Sequence, residues 1–327
     1  MRRLVTFAVC AYAVSSVALW LAVDTLADRA WWATIVAFGP RWLAVLPVLP
    51  LVLIIAVVTS GRMASRLVGL VALSAFVLVF GFMDYRVGLG RAPGTPVLRI
   101  LTQNLGESRV TGGAFDRLLK AERIDVAAVQ ECPFYDNDMA RLGWHFYYGG
   151  ELCLVSRYPF AVVGLHDPDN AWRRSAHDPI RFEIETPLGR LELLNVHLET
   201  IRGGLEAFEA QPWRGLAQFA DNREESGRES RAARAKIGDS PSKLFVVAGD
   251  FNLPVESAIY RDNWGDLGNA FSMCGRGFGH TKFTSLFGIR IDHVLMSTQL
   301  RCADARVLSS PYGGDHAPLV VDLVASH

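Results

Sequence analysis

Leu4 to Val23 is a run of twenty residues without a charge. At 1.5 Å per helical residue it reaches about 30 Å, the thickness of a bilayer's hydrocarbon core. Two more such runs follow. Trp42 to Val58 is uncharged and interrupted by Pro47 and Pro50, which a membrane helix tolerates because neighbouring groups re-satisfy the freed carbonyls. Leu67 to Met83 is the third. Between the first two, Ala30 to Pro40 is apolar but short and carries Trp31 and Trp32, as expected of a segment at headgroup level. The first run could also serve as a cleaved signal peptide, but its length and the two later runs favour a retained span. Cys10 within it reads as buried filler.

The basic residues set an orientation. Arg2 and Arg3 precede the first run, and Arg62 and Arg66 lie between the second and third. The loop after the first run mixes Asp24 and Asp28 with Arg29 and Arg41. A cytoplasmic bias of positive charge places the N-terminus inside, and three spans then leave the rest of the chain extracytoplasmic. Arg86, Arg91 and Arg99 pull the other way. The expected organisation is a membrane region over residues 1–86, with spans near 4–23, 42–58 and 67–83. A linker at 87–96, rich in Gly and Pro, then leads to a catalytic domain at 97–327.

Hydrophobic residues make up 50% of the chain, and the excess sits in the first 83 residues; beyond Arg91 the composition is that of an ordinary globular domain. Formal net charge is zero, so no global field draws the protein to nucleic acid. Cys132, Cys153, Cys274 and Cys302 show no C-x-x-C spacing, which argues against a zinc site. In an exported domain some of them can pair; the spacing does not say which.

Val97–Leu105, Asp125–Glu131, Leu152–Tyr158, Ile180–Thr186, Arg190–Leu198, Lys243–Ala248, Arg290–Met296, Arg301–Leu308 and Pro318–Val324 read as strands. Pro187–Gly189 reads as a hairpin turn. Phe115–Arg123 has helical spacing, and Gly204–Ile237 reads as helical with a polar break near Asn222–Gly227. Arg228, Arg231 and Arg234 share a face of that helix, best read as solvated, with phosphate contact the alternative. Many strands and few helices predict an α/β fold, two sheets packed face to face with helices outside.

Polar residues recur where these strands end: Asn104; Gln130 and Glu131; Asn195 and His197; Asp250 and Asn252; Asp292 and His293; Asp315 and His316. Charged groups are seldom buried unless paired or bound to metal, so strand ends meeting on one rim would form a polar pocket. Hard oxygen ligands such as Asn104, Glu131 and Asp315 suit Mg2+ or Mn2+, which neutralise charge on phosphoryl oxygens. Asp250 is the candidate base for water, and Asn252 the group that orients phosphate. His197 and His316 are candidate donors near developing charge, and Asp292 can fix His316. His293 reads as a structural neighbour.

In this order, LTQN, VQE, NVHLE, AGDFN, IDHV and GGDH resemble the endonuclease/exonuclease/phosphatase superfamily, which includes pancreatic deoxyribonuclease, abasic-site endonucleases, neutral sphingomyelinases and inositol polyphosphate 5-phosphatases. The likeness covers about Val97 to Val324. It implies a four-layer αββα sandwich of two mixed sheets, here preceded by three transmembrane helices. It implies that Asn104 and Glu131 hold a divalent metal, with Asp315 a further carboxylate there. His197 would contact the scissile phosphate, Asp250 activate water, Asn252 orient the water or the phosphate, and His316, paired with Asp292, stabilise the transition state. One departure is Gly314, where the family usually has serine. The three spans resemble a narrower group, membrane proteins similar to the glycopeptide (teicoplanin) resistance phosphatase.

The leading expectation is an Mg2+- or Mn2+-dependent hydrolase of a phosphate ester or pyrophosphate, anchored in the bilayer and acting on a phosphorylated, lipid-linked or cell-envelope substrate. A surface nuclease would use the same residues and would need a basic groove, for which Arg173, Arg174 and Arg202 are the candidates. A binding protein that merely kept the fold is disfavoured, because every key position carries competent chemistry.

Overall fold

The structure is a computed structural model that describes residues 1–94, 97–106, 108–134, 138–163, 178–200, 212–237, 244–309 and 314–326. Arg173, Arg174, Arg202 and Lys243 lie outside the described residues, as do the side chains of 212–214, 216 and 217. The chain forms two compact units, Met1–Tyr85 with Glu256–Ala258, and Arg86–Val255 with Ile259–His327.

The first unit contains three helices long and apolar enough to cross a membrane: Arg2–Leu26, Arg41–Val58 and Gly61–Phe82. The second opens with a 3-10 turn at Arg41–Val45 and becomes α-helical at Val48–Val58. Pro47 sits at its N-cap, where a missing N–H costs nothing. The third begins six residues before the apolar run that announces it, because Arg62 and Arg66 are good helix formers and stay exposed. It ends in a π-helical turn at Val77–Phe82. Trp31–Phe38 is a separate short helix with Trp31 and Trp32 exposed. Val5, Val9, Ile55, Leu67 and Val71 form one small core among the long helices. Cys10 is exposed, not buried filler; it falls off the face that Val5 and Val9 bury, as the 3.6-residue period requires. Within this unit Arg41 Nη2 donates to Glu256 Oε2 at 2.9 Å.

The second unit is an αββα sandwich built on twelve strands: β1 Leu98–Asn104, β2 Val126–Gln130, β3 His145–Gly149, β4 Leu152–Ser156, β5 Phe160–Val163, β6 Ile180–Thr186, β7 Gly189–His197, β8 Phe245–Asp250, β9 Gly268–Asn269, β10 Asp292–Met296, β11 Leu300–Val307 and β12 Leu319–Ala325. One six-stranded sheet runs β11-β12-β1-β2-β4-β3 and the other β9-β10-β8-β7-β6-β5. Strand alternation explains the layers. Leu98, Ile100, Val126, Leu319, Val321 and Leu323 face Phe182, Leu193, Val246 and Val294 of the other sheet. Leu101, Ala127, Val129 and Val320 point outward onto Phe115 and Leu119 of the helix Gly112–Ala121. On the far side Leu194, Val196, Val247 and Leu295 meet Ala233, Tyr260 and Trp264 of the helices Pro212–Ala235 and Ala258–Trp264.

The helix Pro212–Ala235 runs without the break expected at Asn222–Gly227. Ser226, Gly227, Ser230 and Ala233 are buried on one face of it, and packing of that small-residue face outweighs the low helix propensity of the stretch. Arg228 and Arg231 are exposed, and Arg228 and Arg234 pair with Glu225 and Asp266, a solvated face. Two disulfides join Cys132 to Cys153 and Cys274 to Cys302.

Each sheet has one parallel pair at its centre, β1 with β2 and β7 with β8. Parallel neighbours end together. Asn104 is in register with Gln130, and His197 with Asp250. The antiparallel partners start where those end: Asp292 pairs with Asp250, and Leu319 with Thr102. The strand pattern therefore delivers polar residues from distant segments to one edge of the sandwich.

Candidate active site

Asn104, at the end of β1, is the junction of the two sheets. Its Nδ2 donates to Glu131 Oε1 at 2.9 Å and to Asp250 Oδ2 at 3.2 Å, while its Oδ1 accepts from the Gly106 amide at 2.8 Å. Glu131 follows β2 with φ +46°, a left-handed conformation that costs a non-glycine residue about 1 kcal/mol or more. The next residue is held twice, by the Cys132–Cys153 disulfide and by a 2.9 Å bond from its amide to the Glu151 carbonyl. The Glu131 side chain is 43% exposed. Gly106 is what leaves room for it: a Cβ there would lie 2.0 Å from Glu131 Oε2.

His197 ends β7 and is buried. Its Nε2 stands 3.8 Å from Glu131 Oε1 and 3.9 Å from Asp250 Oδ2, outside hydrogen-bond range but inside the same field. Asp250 is fully enclosed. Its Oδ1 accepts the Asn252 amide at 2.8 Å, and Asn252, at φ +52°, ties its own side chain to the Leu198 carbonyl at 2.8 Å. His316 Nε2 lies 3.7 Å from Asp250 Oδ2, and its Nδ1 bonds Asp292 Oδ2 at 2.9 Å. Asp292 also takes part in a bond network with Thr281, whose Oγ1 accepts the Asp292 amide at 3.1 Å.

These contacts separate the protonation states. Burial pushes the Asp250 carboxyl up, the Asp292 charge adds to that, and His316 and His197 offset it only in part. Burial pushes Asp292 the same way, but the charge and hydrogen bond of His316, with the Thr281 hydroxyl, bring it below the ordinary carboxylate range. Burial disfavours the His316 imidazolium, yet Asp292 and Asp250 outweigh it and raise this group to about 9. His316 is thus a cation at neutral pH, and Asp250 is a basic carboxylate beside it.

Asn104, Glu131, His197, Asp250, Asn252, Asp292 and His316 therefore meet in one cluster. Asp315 does not join its hydrogen bonds; its side chain pairs with Lys282, and its carbonyl accepts the Phe283 amide at 2.8 Å. His293 points elsewhere, between the Asn269 side chain at 3.2 Å and the Leu253 carbonyl at 2.8 Å, as a structural neighbour would. Beneath the cluster Gln130 donates to Asn195 at 2.7 Å, and Asn195 donates to the carbonyls of Val129 and Cys153, which clamps the two sheets together.

A family model described as the Endonuclease/Exonuclease/phosphatase family matches residues 101–316, more than half of the chain. The chain belongs to this family. The family's named activities are cleavage of phosphate esters, and its members typically depend on a divalent metal. Solved structures are similar at low identity. An AP endonuclease from Archaeoglobus fulgidus is 16% identical, with 70% of this chain and 100% of that chain covered and a TM-score of 0.48. A truncated TDP2 from Caenorhabditis elegans is 15% identical, with 70% and 98% covered and a TM-score of 0.49. An endonuclease/exonuclease/phosphatase from Beutenbergia cavernae is 15% identical, with 71% and 72% covered and a TM-score of 0.47. No curated protein matches the chain at a significant level.

The donor set fits the family's divalent cation. Glu131 Oε1 and Asp250 Oδ2 converge on one amide group of Asn104. These are two hard carboxylate oxygens at one point, the donor type such a cation takes, and Asn104 Oδ1, which accepts the Gly106 amide, is a third oxygen on the same side chain. Asp250, Asp292 and His316 also bring one donor atom each within 4.8 Å of one another, but Asp292 and His316 already satisfy each other. Sequence reasoning missed Thr281 and Lys282. Both lie on a strand of two residues or at its edge, too short to carry a periodic signal.

Proposed function

We propose that the protein is a membrane-anchored, divalent-cation-dependent phosphoesterase whose catalytic domain is extracytoplasmic. Its substrate is a phosphate ester or pyrophosphate, lipid-linked or part of the cell envelope. In this reading Asn104 and Glu131 hold Mg2+ or Mn2+, and Asp315 adds negative charge at the same rim. The cation would neutralise charge on the phosphoryl oxygens. Asp250 takes the proton from water at Oδ2, and its raised basicity suits that task. His197 donates to the scissile phosphate, and Asn252 braces Asp250 through its amide. His316, kept protonated by Asp292, stabilises the negative charge that develops.

The observation that carries this reading is the meeting of Asp250 with both Asn104–Glu131 and Asp292–His316. Two disulfides support an oxidising compartment for the domain. Three apolar helices support the anchor and the likeness to the teicoplanin-resistance group. An anchored site works at a raised effective concentration of anything in the bilayer plane.

The test is hydrolysis by the full-length protein in detergent, with Mg2+ or EDTA, against lipid phosphates, pyrophosphate and plasmid DNA. Release of phosphate from the first two, abolished by EDTA, is expected. Cleavage of DNA alone would replace this reading with a nuclease, and no hydrolysis of any ester would end it. A reporter fused after Val324 should be active only in an exported position.

A further inference from the structure

Resting on the phosphoesterase reading, we propose that Lys282 is a specificity-determining residue, which contacts a non-bridging phosphate oxygen and favours doubly charged terminal phosphates over diesters. Three observations carry this. First, Lys282 is held at the site by backbone. It forms a bridge with His316, Phe283 donates to the Asp315 carbonyl, and Ala317 donates to the Thr281 carbonyl at 2.6 Å. Second, its ammonium faces the same field as the cluster, since its charge acts on His316. Third, the group is reachable. The Lys282 and Asp315 side chains are 25% and 27% exposed, whereas Asp250 and Asp292 are sealed.

An ammonium has three donors, and the bond to Asp315 uses one. Lysine binds phosphate as a point charge on a flexible stem. Asp315 keeps that charge in place while the cleft is free of substrate. The deep cation, His316, is fixed by Asp292 through Nδ1 and is assigned to the charge that develops in the reaction. Among the described residues, Lys282 is thus the cationic group of this cluster that can move toward a second negative charge. A phosphomonoester or a pyrophosphate end carries that extra charge at neutral pH and a diester does not.

The experiment compares full-length wild type, Lys282→Met and Lys282→Arg in detergent with Mg2+, on p-nitrophenyl phosphate and bis-p-nitrophenyl phosphate. Inorganic phosphate binding is read separately by calorimetry. We expect Lys282→Met to lower kcat/KM on the monoester about tenfold, chiefly through KM, and on the diester less than threefold. Phosphate affinity should fall about as much as the monoester value, and Lys282→Arg should restore both. Equal losses on the two esters, or unchanged phosphate affinity in Lys282→Met, would overturn the proposal while leaving the phosphoesterase reading intact. A wild type inert on both esters would overturn that reading and this one together. If Lys282→Met fails to fold, Lys282→Arg decides: a monoester-to-diester preference changed more than threefold sinks the proposal, and an unchanged one supports it.

Discussion

The two sides of the cluster are built differently. The deep side, Asp250, Asp292 and His316, is sealed from solvent and fixes its own charges through mutual contacts. The rim side, Glu131, Asp315 and Lys282, is more open, and its carboxylates lean on the amide of the buried Asn104 and on an ammonium. The contrast teaches a division of labour. Groups that must hold or accept a proton in a set state are buried, because low dielectric separates their protonation equilibria. Groups that must exchange a ligand stay near water.

That contrast can be broken at several points. The largest effect is expected from Asp250→Asn, which keeps the shape and removes the base. Activity should fall about 10³-fold or more, measured as kcat at saturating Mg2+; a loss under tenfold would remove Asp250 from the chemistry. Asp292→Asn should cost about 10²-fold in kcat with KM little changed, because His316 loses the partner that keeps it charged. A pure KM effect there would make Asp292 a rim residue in function.

Gly106→Ala probes the other side. Its Cβ would displace the Glu131 carboxylate, so the Mg2+ concentration for half activity should rise about tenfold, the usual scale for disturbing a metal's supporting groups. kcat at saturating Mg2+ should recover, which deep-side variants should not show. Gly314 is the milder counterpart: a Cβ there would crowd Ser108 Cβ at 3.2 Å, which a small shift relieves, so restoring the family's serine should raise the Mg2+ requirement less than Gly106→Ala does.

The smallest effect is on stability. His316 has its folded pKa raised from the ordinary 6.5 to about 9, so its stabilisation is full below about 6.5 and is lost as pH rises through about 9. In EDTA, the unfolding free energy of wild type should therefore fall over that window relative to His316→Gln, by an amount on the order of 1–3 kcal/mol. Thermal melts at a series of pH values read the difference. Parallel pH profiles would mean that the deep charges are not coupled as drawn.

Much of this was legible in the amino-acid order, for a physical reason. β1, β2 and β8 are buried on both faces, so they read as continuous apolar runs, and a polar residue at the end of each stands out. Edge strands carry less signal. β3 and β5 are largely half-exposed, and their apolar stretches, FYY and FAVV, are too brief to separate a strand from a buried turn. The disulfides were open because their partners are set by tertiary register: Cys153 lies on β4, beside the end of β2 that leads to Cys132. The continuity of helix Pro212–Ala235 was hidden because packing decided it, against local propensity. Lys282 was hidden because a single cation between His280 and Phe283 has no pattern; only its pairing with Asp315 marks it.

The most direct test is a Mn2+ titration of the full-length protein, followed by calorimetry, for wild type and Glu131→Gln. One ion per chain, bound at least about tenfold more weakly by the variant, is the expected result. No binding, or identical binding by the two proteins, would contradict a cation held by Asn104 and Glu131.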